Sequence, residues 1–355
     1  MLAARKACVE PGGKVHFVLS TIDRLISELG SGGHAVGNQM TTADLMIFAN
    51  CCHLAMPHWE GVPTTVLDDF ANINALRKVV ATHPAVQSWY DDDAHGSGRG
   101  AGFKACRDLP LGESAKALAP TSATRVDAAS LAAALPNCRI SYFPSHGRGE
   151  ATRLALTIAG IPFVDERLGF PQFKALKTTW NTMPFLTLAD GRVITGNRNM
   201  LRLVGKCNDL YPSDPIMAGL CDDLMDACDD IFVVISSAGS SLEKTEMLAA
   251  RKACVEPGGK VHFVLSTIDR LISELGSGGH AVGNQMTTAD LMIFANCCHL
   301  AMPHWEGVPT TVLDDFANIN ALRKVVATHP AVQSWYDDDA HGSGRGAGFK
   351  ACRDL

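Results

Sequence analysis

Tyr142 closes a short strand-like run, Arg139-Ile-Ser-Tyr-Phe143, just ahead of the turn Pro144-Ser-His-Gly147. A phenol at a strand end can project into a cleft and donate a hydrogen bond to an anion, although the commoner use is a core tyrosine whose hydroxyl meets a carbonyl. Arg148 opens the next helical pattern, where the helix dipole mildly disfavours a cation. Met183-Pro184 precedes the apolar run Phe185-Leu-Thr-Leu188. Proline at a strand start is an edge feature, and a cis X-Pro bond there turns the preceding N–H and C=O outward. Gly196-Asn197 stands at the start of another helix, and helix N-termini bind anions through backbone N–H groups. Asp226, Asp229 and Asp230, at spacings of 3 and 4, share one helical face, which is more often solvated than functional. Lys174 and Phe170 lie four residues apart, and an exposed lysine is usually ordinary surface.

The elements that must position these residues fall into two textures. Between 137 and 210 the patterns alternate. A strand at Arg139–Phe143 leads to a helix with Ala151, Leu154, Ala155 and Ile158 on one face, which Gly160 stops. A strand opens at Pro162-Phe-Val164, and a hairpin is built on Ala-Asp-Gly191. A helix from Asn197 to Lys206 completes the order β-α-β-(α)-β-β-α, a small α/β domain. From Tyr211 onward only helical patterns are convincing. Val261, Val264, Leu265, Ile268, Leu271, Ile272 and Leu275 make one stripe, with Gly276 as its cap. Thr287 and Asp290 form a capping box, after which Leu291, Phe294, Cys298 and Ala301 give a buried face. Residues 211–246 read as one continuous helix leading into this region.

Residues 1–109 recur letter for letter as 247–355. The 355-residue chain is therefore one complete unit, 110–355, preceded by the last 109 residues of another. One long partial copy is no solenoid. An undiverged tandem duplication and a misjoined coding sequence both produce such identity. The Arg and Lys near Met1 suggest a transit peptide, but the same letters recur deep inside the chain, so they read as ordinary domain sequence and a cytosolic location is expected. The boundaries expected are 1–93 for the partial helical copy, 94–136 for a linker with a short helix at Ala128–Ala134, 137–210, 211–340, and a tail at 341–355. A net charge of −6 argues against a nucleic-acid partner, and no run of 18 apolar residues suggests a membrane span. Eight of the 12 cysteines lie in the copies, and none has zinc-type spacing; they read as buried apolar thiols.

The letters resemble the cytosolic glutathione transferases, in their sigma-like, tyrosine-using branch. Ile140-Ser-Tyr-Phe-Pro-Ser-His-Gly-Arg-Gly-Glu150 is similar to the family's first strand and turn, and Phe170-Pro-Gln-Phe-Lys174 to its Trp-Pro-x-x-Lys. Met183-Pro184 sits at its cis-proline, Gly283-Asn-Gln-Met-Thr-Thr-Ala-Asp290 resembles its helical folding motif, and Pro330-Ala-Val-Gln-Ser-Trp335 its closing helix. The resemblance spans 137–340 and the duplicated 1–93.

It implies a thioredoxin-like α/β domain followed by an all-α C-terminal domain, with an extra all-α partial copy in front. It implies glutathione as co-substrate, a small hydrophobic electrophile, a homodimer and no required metal. Tyr142 then stabilises the glutathione thiolate and Arg148 tightens the site. Met183 and Pro184 meet the cysteinyl backbone, Phe170 and Lys174 lie near the glycine carboxylate, and Asp230 reaches the partner's glutathione amine. A divalent cation among Asp226, Asp229 and Asp230 is the less favoured use of those acids. His146 is a candidate to shape the second-substrate pocket, though most such histidines are bystanders. The family's Gln-Ser, which holds the γ-glutamyl carboxylate, is replaced here by Gly196 and Asn197. Asn197 is expected to cap the helix and donate from its amide, with weakened glutathione binding. That departure also keeps open a non-catalytic structural or interaction protein of the same fold.

Overall fold

The computed structural model describes residues 1–92, 100–109, 135–176, 178–338 and 347–355. It divides into two compact units, 1–126 and 127–355. The first contains α1 (Leu2–Val9), α2 (Lys14–Leu29), α3 (Thr42–Leu54), α4 (Ala71–Ala81) and α5 (Pro84–Asp91). The expected helix at Ala128–Ala134 lies outside the described residues.

The second unit opens with a four-stranded sheet in the order β2-β1-β3-β4. Strand β1 (Cys138–Tyr142) runs parallel to β2 (Phe163–Arg167) and antiparallel to β3 (Phe185–Thr187), which pairs with β4 (Val193–Thr195). Helix α6 (Glu150–Ile158), preceded by a 3₁₀ turn at Gly147–Gly149, crosses between β1 and β2. Helix α7 (Phe170–Ala175) precedes β3, and α8 (Asn197–Lys206) follows β4 on the residues expected. The mixed sheet is the thioredoxin-like domain. Then come α9 (Pro215–Ser237), α10 (Lys244–Val255), α11 (Lys260–Leu275), α12 (Thr288–Leu300), α13 (Ala317–Thr328) and α14 (Pro330–Asp337).

The expected continuous helix over 211–246 is broken. Helix α9 ends at Ser237, Gly239 adopts a left-handed φ of 67°, and α10 restarts at Lys244. A chain of small residues, Ser236-Ser-Ala-Gly-Ser-Ser241, offers no side chain to hold a helix together against the competing hydroxyl-to-backbone bonds that Ser236 and Ser237 make. A second correction concerns α12. All 13 of its residues are buried, not one face. It packs against α9 and α13 and against α6 of the sheet domain, so it is a core helix enclosed on every side. Its start is fixed locally: the Thr287 N–H and hydroxyl donate to Asp290 at 2.8 and 2.7 Å, and the Ala281 N–H donates to the other oxygen at 2.8 Å.

The same letters in the first unit behave differently. Of α3 only Asp44, Phe48, Cys51 and Cys52 are buried. Met46 is 65% exposed where its twin Met292 is 0%, and Trp89 is 56% exposed where Trp335 is 8%. Residues 100–109 and 347–355, expected as linker and tail, are helical turns that bury Cys106 in one unit and Phe349 and Cys352 in the other. Glycine-rich sequence hid the buried residues that anchor them.

One buried ionic network joins the sheet domain to the helical one. Arg153 donates to Glu150 at 2.9 Å, to Asp165 on β2 at 2.9 Å and to the Ser145 carbonyl at 2.9 Å. The other Glu150 oxygen accepts from the Trp335 indole at 3.2 Å and the Tyr336 hydroxyl at 2.8 Å. Both charged side chains are fully buried. Burial alone raises the Glu150 carboxyl, but Arg153, His146 and Tyr336 more than offset it and hold it below the ordinary carboxylate range. A carboxyl depressed on folding contributes stability above its ordinary range and loses it as pH falls. Glu150→Ala leaves Arg153 charged and uncompensated, so urea unfolding of this variant should show a loss of about 3–5 kcal/mol. A loss below about 1 kcal/mol, the scale of an exposed pair, contradicts this account.

Candidate active site

Sheet register gathers three of the candidate residues into one row. Ser141 pairs with Phe185 and Phe185 with Thr195. The next step of both ladders aligns Tyr142, Pro184 and Gly196 across one end of the sheet, and the Gly196 N–H donates to the Pro184 carbonyl at 3.4 Å. The Met183–Pro184 bond is cis. Gly196 is the N-cap of α8, with φ of 88°, a left-handed value that favours glycine.

The Tyr142 hydroxyl accepts the Arg148 backbone N–H at 3.3 Å. That bond uses an oxygen lone pair and leaves the phenolic proton to donate elsewhere. Burial pushes the phenol's pKa up, and the Arg148 N–H and the cations of Arg148 and Arg153 only partly oppose it. The group therefore stays protonated at neutral pH, as a donor to an anion must. The Arg153 guanidinium carbon lies 5.8 Å from the ring centre. Sequence reasoning missed the glycines either side of Arg148. A Cβ on Gly147 would sit 2.8 Å from the phenolic oxygen, and one on Gly149 2.9 Å from the ring. The only signal for them was the Gly-Arg-Gly spelling itself.

The Arg148 side chain turns away, donating from Nε to Asp229 at 2.9 Å and lying 5.6 Å from the Phe232 ring centre. Asp226 is engaged by Arg198 and Arg202. Two of the three grouped acids are thus held by arginines, and among the described residues no group of three or more His, Cys, Asp or Glu is placed to hold a metal ion. The three acids on this helix thus have different surroundings. Asp230 instead lines a cavity of about 690 Å³ with Val233, Lys260, His262 and Phe263, which no other candidate residue lines.

Asn197 also departs from expectation. Its side chain is not a cap: the amide nitrogen turns inward to the Met292 sulfur at 3.5 Å, and its oxygen is buried without a hydrogen bond. The all-round burial of α12 brings Met292 there, so a polar side chain one residue past the N-cap is pulled into the core. Phe170 stacks on Phe143 at 5.2 Å, and Phe143 meets Tyr142 edge-on at 5.5 Å. Lys174 is exposed on the same short helix. His146 is buried 4.4 Å from the Phe349 ring and lines a second cavity of about 560 Å³ beside the turn after β1.

The model of the glutathione S-transferase C-terminal domain matches residues 5–93 and again 237–339, together more than half of the chain. The chain belongs to the glutathione S-transferase family. Among its relatives, hematopoietic prostaglandin D synthase of Gallus gallus is 26% identical over 210 residues, covering 57% of this chain and 96% of that protein. Glutathione S-transferase 1 of Ascaris suum is 25% identical over 206 residues, covering 57% and 96%. The fold is also that of the prostaglandin synthase D structure of Nilaparvata lugens, with a TM-score of 0.51 at 21% identity over 56% of this chain and 96% of that one. Among the described residues no helix is long and apolar enough to cross a membrane.

A pH-sensitive element sits beside the family's α/β domain. Burial, reinforced by His304 across a 3.1 Å Nε2···Nε2 contact, pushes His299 down to about 3. A histidine lowered on folding is neutral in the folded chain while the unfolded chain takes up a proton below about 6.5. Between pH 7 and 5 this one group should remove on the order of 2 kcal/mol of stability. Urea unfolding of the full chain at both pH values measures it, and His299→Gln should reduce the slope by about that amount, with His304 and His329, also lowered by burial, contributing to the remainder. An unchanged slope in that variant assigns the dependence elsewhere.

Proposed function

We propose that the chain is a glutathione transferase of sigma-like type, with Tyr142 as the residue that stabilises the glutathione thiolate. The observation that carries this reading is the phenol at the sheet end. Its oxygen is satisfied by the Arg148 N–H, its proton remains available, and it stands in one row with the cis Met183–Pro184 turn and the Gly196 helix start. Free thiols have a pKa near 8.5, and a phenolic donor at hydrogen-bond distance lowers it by favouring the anion. The thiolate then attacks an electrophilic carbon, forming a C–S bond as the leaving group departs with its electron pair, or opens a strained or peroxide-like substrate for isomerisation.

In this proposal Met183 offers its backbone to the cysteinyl unit, Pro184 sets the turn, Phe170 and Lys174 flank the glycine carboxylate, and the N–H groups after Gly196 receive the γ-glutamyl carboxylate. Arg148 contributes its N–H to Tyr142, and its guanidinium, tied to Asp229, holds that turn in place. Asp230 is assigned to the glutathione amine of a partner subunit in a homodimer, in the cytosol. No metal takes part in activating the thiol.

A second reading has a specific observation behind it. With Asn197 turned inward and Gly196 bare, no side chain of this pair is left for the carboxylate, which favours a binding-deficient structural protein of the same fold. Retention on immobilised glutathione separates the two: the transferase is retained and eluted by free glutathione, whereas the structural protein flows through. For the retained enzyme, Tyr142→Phe should lower conjugation by about 10²-fold at neutral pH, the scale of losing one donor to a developing anion. It should also raise the kinetic pKa of the bound thiol. An unaltered rate and pH profile removes Tyr142 from the mechanism.

A further inference from the structure

Two sulfur atoms meet inside the helical domain. Cys298 Sγ on α12 lies 3.4 Å from Cys352 Sγ on the terminal turn Ala351–Asp354, and Arg323 Nη2 donates to Cys352 Sγ at 3.2 Å. Cys298 and Arg323 line the 560 Å³ cavity, together with Gly348 and Ala351 from the segment that carries Cys352. The first unit repeats the arrangement, with Cys52 and Cys106 3.3 Å apart, although far fewer residues of its α3 are buried. The pairing is therefore a property of the helical fold itself. Of the pair, Cys352 is the more acidic: its hydrogen bond with Cys298 and the nearby Arg323 cation favour its anion, which holds its thiol below the ordinary range. Burial and its bond to Cys352 push Cys298 the other way.

We propose that Cys298 and Cys352 form a redox-active dithiol that a hydroperoxide entering this cavity converts to a disulfide. The Cys352 thiolate attacks the hydroperoxide, the O–O bond breaks, the departing oxygen takes a proton and leaves as an alcohol or water, and the sulfur becomes a sulfenic acid. Cys298 loses its proton and attacks that sulfur, the S–O bond breaks, water leaves, and the S–S bond forms. Two thiols and one hydroperoxide thus give one disulfide, one water, and one alcohol or second water. The bond ties the terminal turn to α12. The short helix Ala347–Lys350 that leads straight into that turn carries Phe349, whose ring packs on His146 at 4.4 Å, so oxidation fastens the wall of the turn that follows Tyr142.

The test uses the full chain with Cys52→Ser and Cys106→Ser, because peptides from the two copies are otherwise identical. Stoichiometric hydrogen peroxide should remove about 2 Da, the two hydrogens of one disulfide, and non-reducing peptide mapping should find Cys298 linked to Cys352. Adding Cys298→Ser should abolish the link and leave a sulfenic acid on Cys352 that dimedone traps; adding Cys352→Ser should abolish both. The chain with all its cysteines should lose about 4 Da, one disulfide per unit, which serves as the check should a variant fail to fold. If both thiols stay open to alkylation after peroxide, or the link joins other cysteines, the proposal is wrong.

Discussion

A fully buried carboxylate and guanidinium set the positions of the parts of the second unit. Glu150 and Arg153 are one turn apart on α6, yet their partners come from the first turn, from β2 and from the closing helix α14. A fully buried pair of this kind is weak evidence for net stability, because desolvation offsets most of its attraction. Its effect is on position. Each partner must stay where the charges need it. The Ser145 carbonyl is fixed, so the chain after Tyr142 is fixed. The Tyr336 and Trp335 donors are fixed, so the helical domain is seated on the sheet domain at one register.

The duplicated sequence shows what that seating does. Helix α3 and helix α12 have the same 13 letters, the same capping box and nearly the same backbone bounds. They differ in cover. Leu291 and Met292 are fully buried while Leu45 and Met46 are largely exposed, and burial of each such side chain is worth about 1.5–3 kcal/mol. Local sequence makes the helix. The sheet domain and α9 decide whether it is a core helix or a surface one.

Legibility in the sequence followed the range of the interaction. Helix α8, the hairpin around Gly191 and the Thr287–Asp290 cap involve residues within a few positions of one another, and their letters announce them. The order of strands and helices followed from period changes, and five separated motifs carried the family resemblance. What was hidden joins distant residues: Arg148 with Asp229 across 81 positions, Asn197 with Met292 across 95, Glu150 with Tyr336 across 186. Asp229 reads as one acid of a shared helix face until the fold brings an arginine to it. Asn197 reads as a cap until a methionine sulfur attracts it inward. Of the two glycines beside Arg148, one reads as a turn residue and the other as part of the helix start, and only the ring packed on them shows why no side chain fits.

The bare face of the first unit bears on how the chain fares before and after it folds. Val36, Leu45, Met46 and Trp89 show water a patch whose twin, Val282, Leu291, Met292 and Trp335, is enclosed. Uncovered apolar surface of this sort is what holdase chaperones and quality-control proteases select. The extra half-copy thus shows solvent apolar side chains whose twins are enclosed, a kind of surface that other proteins expose when misfolded.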